Sequence, residues 1–136
     1  MADVAYIALG SNLGDRAGYL SRARTALAAL SDSRILAESD IEETPPLGPV
    51  AQSPYLNQMI ALQTALPPDA LMLELLRIER DEGRIRGERW GSRTLDLDLV
   101  SYGNHELRSE TLTIPHPELP NRDFWQRQLA AVKGAP

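Results

Sequence analysis

At 136 residues and 15.0 kDa, with 43% hydrophobic and 24% charged residues, the chain has the size and balance of one soluble globular domain spanning 1–136. No apolar run approaches the ~20 residues that cross a bilayer, and Met1-Ala2-Asp3 opens no basic-then-apolar leader, so a cytoplasmic protein without membrane contact is expected. The lack of cysteine excludes disulfides, thiolate metal sites and Cys nucleophiles, and a net charge of −5 argues against nucleic-acid binding.

In chain order, Val4 to Leu9 is apolar and bounded by Gly10, which predicts a buried strand. Asp15 offers an N-cap for a helix to about Leu30, with Leu20, Ala23, Leu27 and Leu30 on one face. Arg34 to Glu43 alternates, placing Ile35, Ala37, Ser39 and Ile41 on one side and Leu36, Glu38, Asp40 and Glu42 on the other. That pattern predicts a half-exposed strand near a sheet edge. Four prolines in the eleven residues from Thr44 to Pro54 predict a loop. Tyr55 to Thr64 reads as a strand with Leu56, Ile60 and Leu62 on one face and Tyr55, Asn57, Met59 and Ala61 on the other.

Pro68 opens a second helix to about Glu82 on a stripe of Leu71, Leu75 and Ile78, and Gly83 ends it. Thr94 to Tyr102 is a strand in which Leu95, Leu97 and Leu99 alternate with Asp96 and Asp98. A turn at Gly103-Asn104, a short strand pair up to Ile114 and a last helix from near Asn121 or Arg122 complete the chain. The order strand, helix, strand, strand, helix, strand predicts an α/β (α+β) ferredoxin-like βαββαβ core. Its helices are expected on one face of an antiparallel sheet.

The strongest chemical signal is Arg93-Thr94-Leu95-Asp96-Leu97-Asp98-Leu99. Strand alternation points Asp96 and Asp98 the same way, with Cα atoms roughly 6.5–7 Å apart. The pair can share Mg²⁺, which takes one or two carboxylates and completes its shell with water and phosphate oxygens. The alternative is an acidic, solvated strand face. Arg84, Arg86, Arg89 and Arg93 lie in one Arg-dense segment of a chain with a single lysine. They are either the anion partners of such a cation or a solvated helix end balanced by Glu79, Asp81, Glu82 and Glu88.

Gly10-Ser11-Asn12-Leu13-Gly14 between strand and helix is either a structural turn or a phosphate cradle, and it is no Walker loop. His116 is held between Pro115 and Pro117 and can donate a hydrogen bond to a phosphate, or simply pack. Tyr55 and Phe124 are the aromatics placed to sandwich a flat ring, and Asn57 offers donors and an acceptor for the edge of a heterocycle; core packing is the plainer reading. The stretches 44–54 and 83–93 are candidate covers that would exclude water from a transfer reaction.

These motifs resemble a known family. Ala8-Leu9-Gly10-Ser11-Asn12-Leu13-Gly14, Thr44-Pro45-Pro46-Leu47-Gly48-Pro49, Tyr55-Leu56-Asn57, Gly83-Arg84-Ile85-Arg86, Arg89-Trp90-Gly91-Ser92-Arg93-Thr94-Leu95-Asp96-Leu97-Asp98 and Ile114-Pro115-His116-Pro117 are similar, in order, to the 6-hydroxymethyl-7,8-dihydropterin pyrophosphokinases of folate biosynthesis. The resemblance implies a ferredoxin-like enzyme that moves the β,γ-pyrophosphoryl group of ATP to the pterin's primary alcohol and releases AMP. It implies Asp96 and Asp98 as ligands of two Mg²⁺ ions and Arg84 and Arg93 as the residues that assist transfer. Glu79, Arg86, Trp90, His116 and Arg122 would serve the nucleotide, with Trp90 on a loop that folds over the substrates. Thr44, Pro45, Leu47, Tyr55, Asn57 and Phe124 would surround the pterin. A monomer acting on small molecules is expected. Family members usually continue further past the Arg-x-Phe segment, so a less well covered core edge is expected in this sequence.

Three other readings predict different behaviour. An RNA-binding module on the same fold would show stacking aromatics on a basic sheet face. A two-metal nuclease or phosphatase would hydrolyse its substrate without a pterin. An inactive relative would bind pterin and transfer nothing.

Overall fold

The computed structural model describes residues 2–45, 53–83 and 94–133. Its elements are β1 (Asp3–Ser11), α1 (Arg16–Ala28), β2 (Ser33–Glu38), β3 (Glu42–Thr44), β4 (Tyr55–Thr64), α2 (Pro68–Asp81), β5 (Asp96–Tyr102), β6 (Leu107–Arg108), β7 (Thr113–Ile114), a 3₁₀ turn at Leu119–Asn121 and α3 (Asp123–Lys133). The main sheet runs β2-β4-β1-β5, every pair antiparallel, and β3 follows β2 along the same side of β4. This is the ferredoxin-like order expected from the sequence. Among the described residues no helix is long and apolar enough to cross a membrane.

The helix ends follow local chemistry. Asp15 caps α1, its carboxylate accepting from the Gly18 amide at 3.1 Å. Pro68 opens α2 without wasting a helical donor, and Gly83 closes it at φ +78°, a region that disfavours a side chain. The apolar stripes of α1 and α2 are buried as predicted: Leu20, Ala23, Leu27, Leu71, Leu75 and Ile78 pack with Ile7, Leu9, Ile60, Leu62, Leu97 and Leu99. Each of the Leu and Ile side chains contributes about 1.5–3 kcal/mol of transfer free energy.

The two helices of the βαββαβ core, α1 and α2, share one face as expected, and α3 comes after that core. It lies across the other face, where Phe124, Trp125, Leu129 and Val132 form a second core with Ala8, Met59, Ala61 and Val100. Small residues at positions 8 and 61 make room for the Trp125 ring, which is 2% exposed.

Two irregularities also depart from simple alternation. The predicted strand Arg34–Glu43 divides into β2 and β3, and the register slips between Ile35 and Ala37. Ile35 therefore packs with the first core and Ala37 with the second, while Ile41 ends up 44% exposed. Past the slip, where β2 ends, side chains take part in the pairing. The Ser39 amide donates to the Met59 carbonyl at 2.9 Å, its hydroxyl accepts from the Met59 amide at 2.8 Å, and Gln58 donates to the Ser39 carbonyl at 2.8 Å while accepting from Arg24. These bonds hold the chain to β4 between β2 and β3. On β5 the pairing with β1 shifts between Tyr6 and Ile7, so Leu99 and Tyr102 both reach the first core while Val100 reaches the second.

Candidate active site

The site is built where β1, β3, β4 and β5 run side by side on the α3 face. Register aligns Glu42, Asn57, Gly10 and Asp96 in one row across four strands, with Thr44 opposite Tyr55 on one flank. In the next row Ala8 stands between Met59 and Asp98. Alternation puts Tyr55, Asn57, Asp96 and Asp98 on one surface of the sheet, as the sequence predicts.

Gly10 corrects one expectation. It does not end β1 but lies within it, and the left-handed turn residue is Gly14 at φ +73°. A Cβ at Gly10 would lie 3.3 Å from Asn57 Oδ1 and 3.4 Å from Tyr55 Cδ2. The missing side chain lets the amide and the ring pack over the backbone of β1, in the row that ends at Asp96. A glycine inside a strand is the signal that could have found this close approach.

On the β3–β4 side, Thr44 is buried and its hydroxyl accepts from Asn57 Nδ2, which orients the amide. Pro45 follows β3 and is exposed. Two anchors that the sequence did not disclose tie this region to the start of α1. Asn12 donates to the Ser53 carbonyl at 3.0 Å, and Arg16 donates to the Pro54 carbonyl at 2.9 Å and to Glu43 at 3.1 Å. Phe124 packs with Ala8 and Met59, the same-face neighbours of Gly10 and Asn57, and so borders the same surface.

On the β5 side, Asp96 and Asp98 are partly exposed. The His116 amide donates to the Val100 carbonyl at 2.8 Å, carrying the edge of β5 onward. His116 Nδ1 accepts from the Glu118 amide at 3.0 Å, so the neutral ring carries its proton on Nε2, 3.7 Å from Asp98 Oδ1. The ring is edge-on to Trp125 at 5.0 Å, and the Arg122 guanidinium stacks on the other ring system of that pair at 4.4 Å from the Trp125 centroid. Arg122 Nε is buried, with no hydrogen-bond partner among the described residues. One packed tryptophan thus holds both the histidine beside Asp98 and an arginine.

Glu79 lies elsewhere. It is 4% exposed on α2, and its Oε2 accepts from the Leu97 amide at 2.8 Å, behind the strand that carries Asp96 and Asp98. Leu47, Arg84, Arg86, Trp90 and Arg93 fall outside the described residues, as do most of the two stretches expected to act as covers.

The donor set suits a hard cation only in company. Among the described residues no group of three or more His, Cys, Asp or Glu can hold a metal. Two carboxylates with a histidine N–H beside one of them fit Mg²⁺ that completes its shell with phosphate oxygens and water. They do not form a closed structural metal site. A ferredoxin-like sheet with this acidic end and an amide–aromatic wall packed over a glycine carries groups that could take a hard cation and a flat polar ring.

Comparison with known proteins names the family. A family model described as 7,8-dihydro-6-hydroxymethylpterin-pyrophosphokinase matches residues 6–134, and the chain belongs to that family. It is 46% identical over 120 residues to the 2-amino-4-hydroxy-6-hydroxymethyldihydropteridine pyrophosphokinase of Haemophilus influenzae, covering 88% of this chain and 75% of the relative. Enzymes of the same name from Bacillus subtilis and Methylorubrum extorquens are each 39% identical. They cover 97% and 94% of this chain, which spans 79% and 81% of their lengths.

Proposed function

We propose that this protein transfers the pyrophosphoryl group of ATP to the hydroxymethyl group of 6-hydroxymethyl-7,8-dihydropterin, giving the pterin diphosphate and AMP in folate biosynthesis. The hydroxymethyl oxygen bonds to the β-phosphorus of ATP while the bond from that phosphorus to the α–β bridging oxygen breaks. AMP leaves with the electron pair, and the hydroxyl proton is released. The observation that carries the reading is the row Asn57–Gly10–Asp96, which sets an amide wall and a carboxylate on either side of a strand position with no side chain.

The pterin's polar edge meets Asn57 and the Thr44 segment, with Pro45 and Leu47 beyond it and Tyr55 and Phe124 on its faces. Asp96 and Asp98 would hold two Mg²⁺ ions, which would supply neutralisation of the phosphate charge there. His116, through Nε2–H, and Arg122 donate to the nucleotide, together with Arg86 and Trp90. Arg84 and Arg93 stabilise charge on the group in flight. Glu79 supports the nucleotide side through β5. The reaction needs water kept out, since hydrolysis of ATP competes with transfer. The protein works as a single-domain monomer in the cytoplasm, on small molecules and not on nucleic acid or membranes.

The test is a nucleotide assay with Mg²⁺ and ATP, with and without the pterin, resolving AMP from ADP. We expect AMP only with the pterin, one per pterin consumed. ADP as the product, or AMP without pterin, overturns the reading.

A further inference from the structure

We propose that Glu42 is a positioning residue for the pterin: clamped by Arg127 and Gln128, it fixes the distance between the wall that reads the pterin's edge and the helix that carries Phe124. The proposal rests on the function assigned above.

The structural argument starts from β3. This strand has only three residues and pairs on one side, with β4. Three backbone positions are few to hold a strand in register, yet β3 carries Thr44, whose hydroxyl sets the direction of the Asn57 amide. Glu42 stands directly opposite Asn57 in the register, two residues before Thr44. Its carboxylate is gripped from α3 by two neighbouring residues, Arg127 on Oε1 and Gln128 Nε2 on Oε2 at 3.1 Å. Arg127 is itself held by Asp123 at 3.2 Å, one helical turn back.

Phe124 and Gln128 are also one turn apart, so they share a face of α3. The clamp therefore grips the helix one turn beyond the aromatic residue and the strand two residues before the threonine. Its two oxygens engage separate donors, so it resists sliding as well as separation. Gln128 is 4% exposed, and among the described residues its Oε1 has no hydrogen-bond partner. A buried polar side chain left half-satisfied is held by a geometric demand, and here the demand is the bond to Glu42.

The experiment uses the full chain and measures pterin-dependent AMP formation for the unsubstituted protein, Glu42→Ala, Arg127→Ala and the swapped pair Glu42→Arg with Arg127→Glu, alongside urea melts. Loosening the clamp is expected to raise the KM for the pterin by about tenfold while the KM for ATP stays within about twofold. In the swapped pair the pterin KM returns most of the way, because the Gln128 amide can turn its free oxygen to the guanidinium introduced at position 42. A merely structural role would lower the active fraction, and with it kcat, leaving both KM values where they were. That result, or equal rises in both KM values, overturns the proposal. If the unsubstituted protein forms no pterin-dependent AMP, the assigned function has failed, and the positioning role falls with it. Pterin-dependent AMP with an unmoved pterin KM in both alanine variants overturns the positioning role alone.

Discussion

Asp98 projects from β5 away from Leu97 and Leu99, and its side chain is 30% exposed. Its charge can therefore be removed without opening the core. We expect Asp98→Ala to change stability by no more than about 0.5 kcal/mol and to lower Mg²⁺-dependent AMP formation by about 10²-fold or more. Near-normal turnover would sink its assignment as a metal ligand; a shifted urea midpoint would show that it also supports the strand. The pairing of Asp96 with Asp98 was legible in the sequence because strand alternation needs nothing but spacing. Gly10 was not legible in the same way. Followed by Ser-Asn-Leu-Gly it reads as the start of a turn, and only the approach of Tyr55 and Asn57 from a strand more than forty residues on shows why it has no side chain. His116 was visible as a candidate, but the tautomer that points its proton toward Asp98 depends on the Glu118 amide.

At the scale of elements, β5 is the outer strand of the sheet, and outer strands leave backbone donors without ladder partners. The Leu97 amide is such a donor, and the buried Glu79 carboxylate accepts it. Glu79→Ala should cost about 2–3 kcal/mol, since it removes a charged acceptor and strands a buried donor. The check is the urea midpoint, and a change below experimental scatter would mean that water or another group serves the amide equally well. Helix stripes, the Asp15 cap, the Gly83 stop and the bounds of β4 followed from periodicity and end chemistry. The split of Arg34–Glu43 did not. Between β2 and β3 the chain is held where Ser39, Gln58 and Arg24 meet across separate elements, and composition within the segment carries no trace of that.

For the whole molecule, the sheet is covered on both faces, so α3 occupies the surface an RNA-binding ferredoxin-like domain would leave open. Element order was enough to anticipate the sheet. The face chosen by α3 was not, because its stripe would pack equally well on either side until the first core is known to be full. Global stability has a basic-pH limb that can be read from Tyr102. Burial, reinforced by Asp3, raises its pKa above the usual value of about 10, and its hydroxyl donates to the Leu66 carbonyl. Above that usual value the unfolded chain loses the proton while the folded chain keeps it. The contribution is therefore complete below about pH 10 and declines as pH rises through the raised value. Tyr102→Phe should cost about 1 kcal/mol at neutral pH, with the gap to the unsubstituted protein narrowing as the pH rises from neutral to above the ordinary tyrosine value of about 10. Urea midpoints that stay equally far apart at both ends would exclude this role.

The Glu79–Leu97 bond also has a topological meaning. It joins the last turn of α2 to the first residues of β5, the two flanks of positions 84–93. The chain thus leaves the described fold after α2 and re-enters it before β5 at two points already fastened to each other. The strand that carries Asp96 and Asp98 is held from behind by the helix that precedes it in the chain.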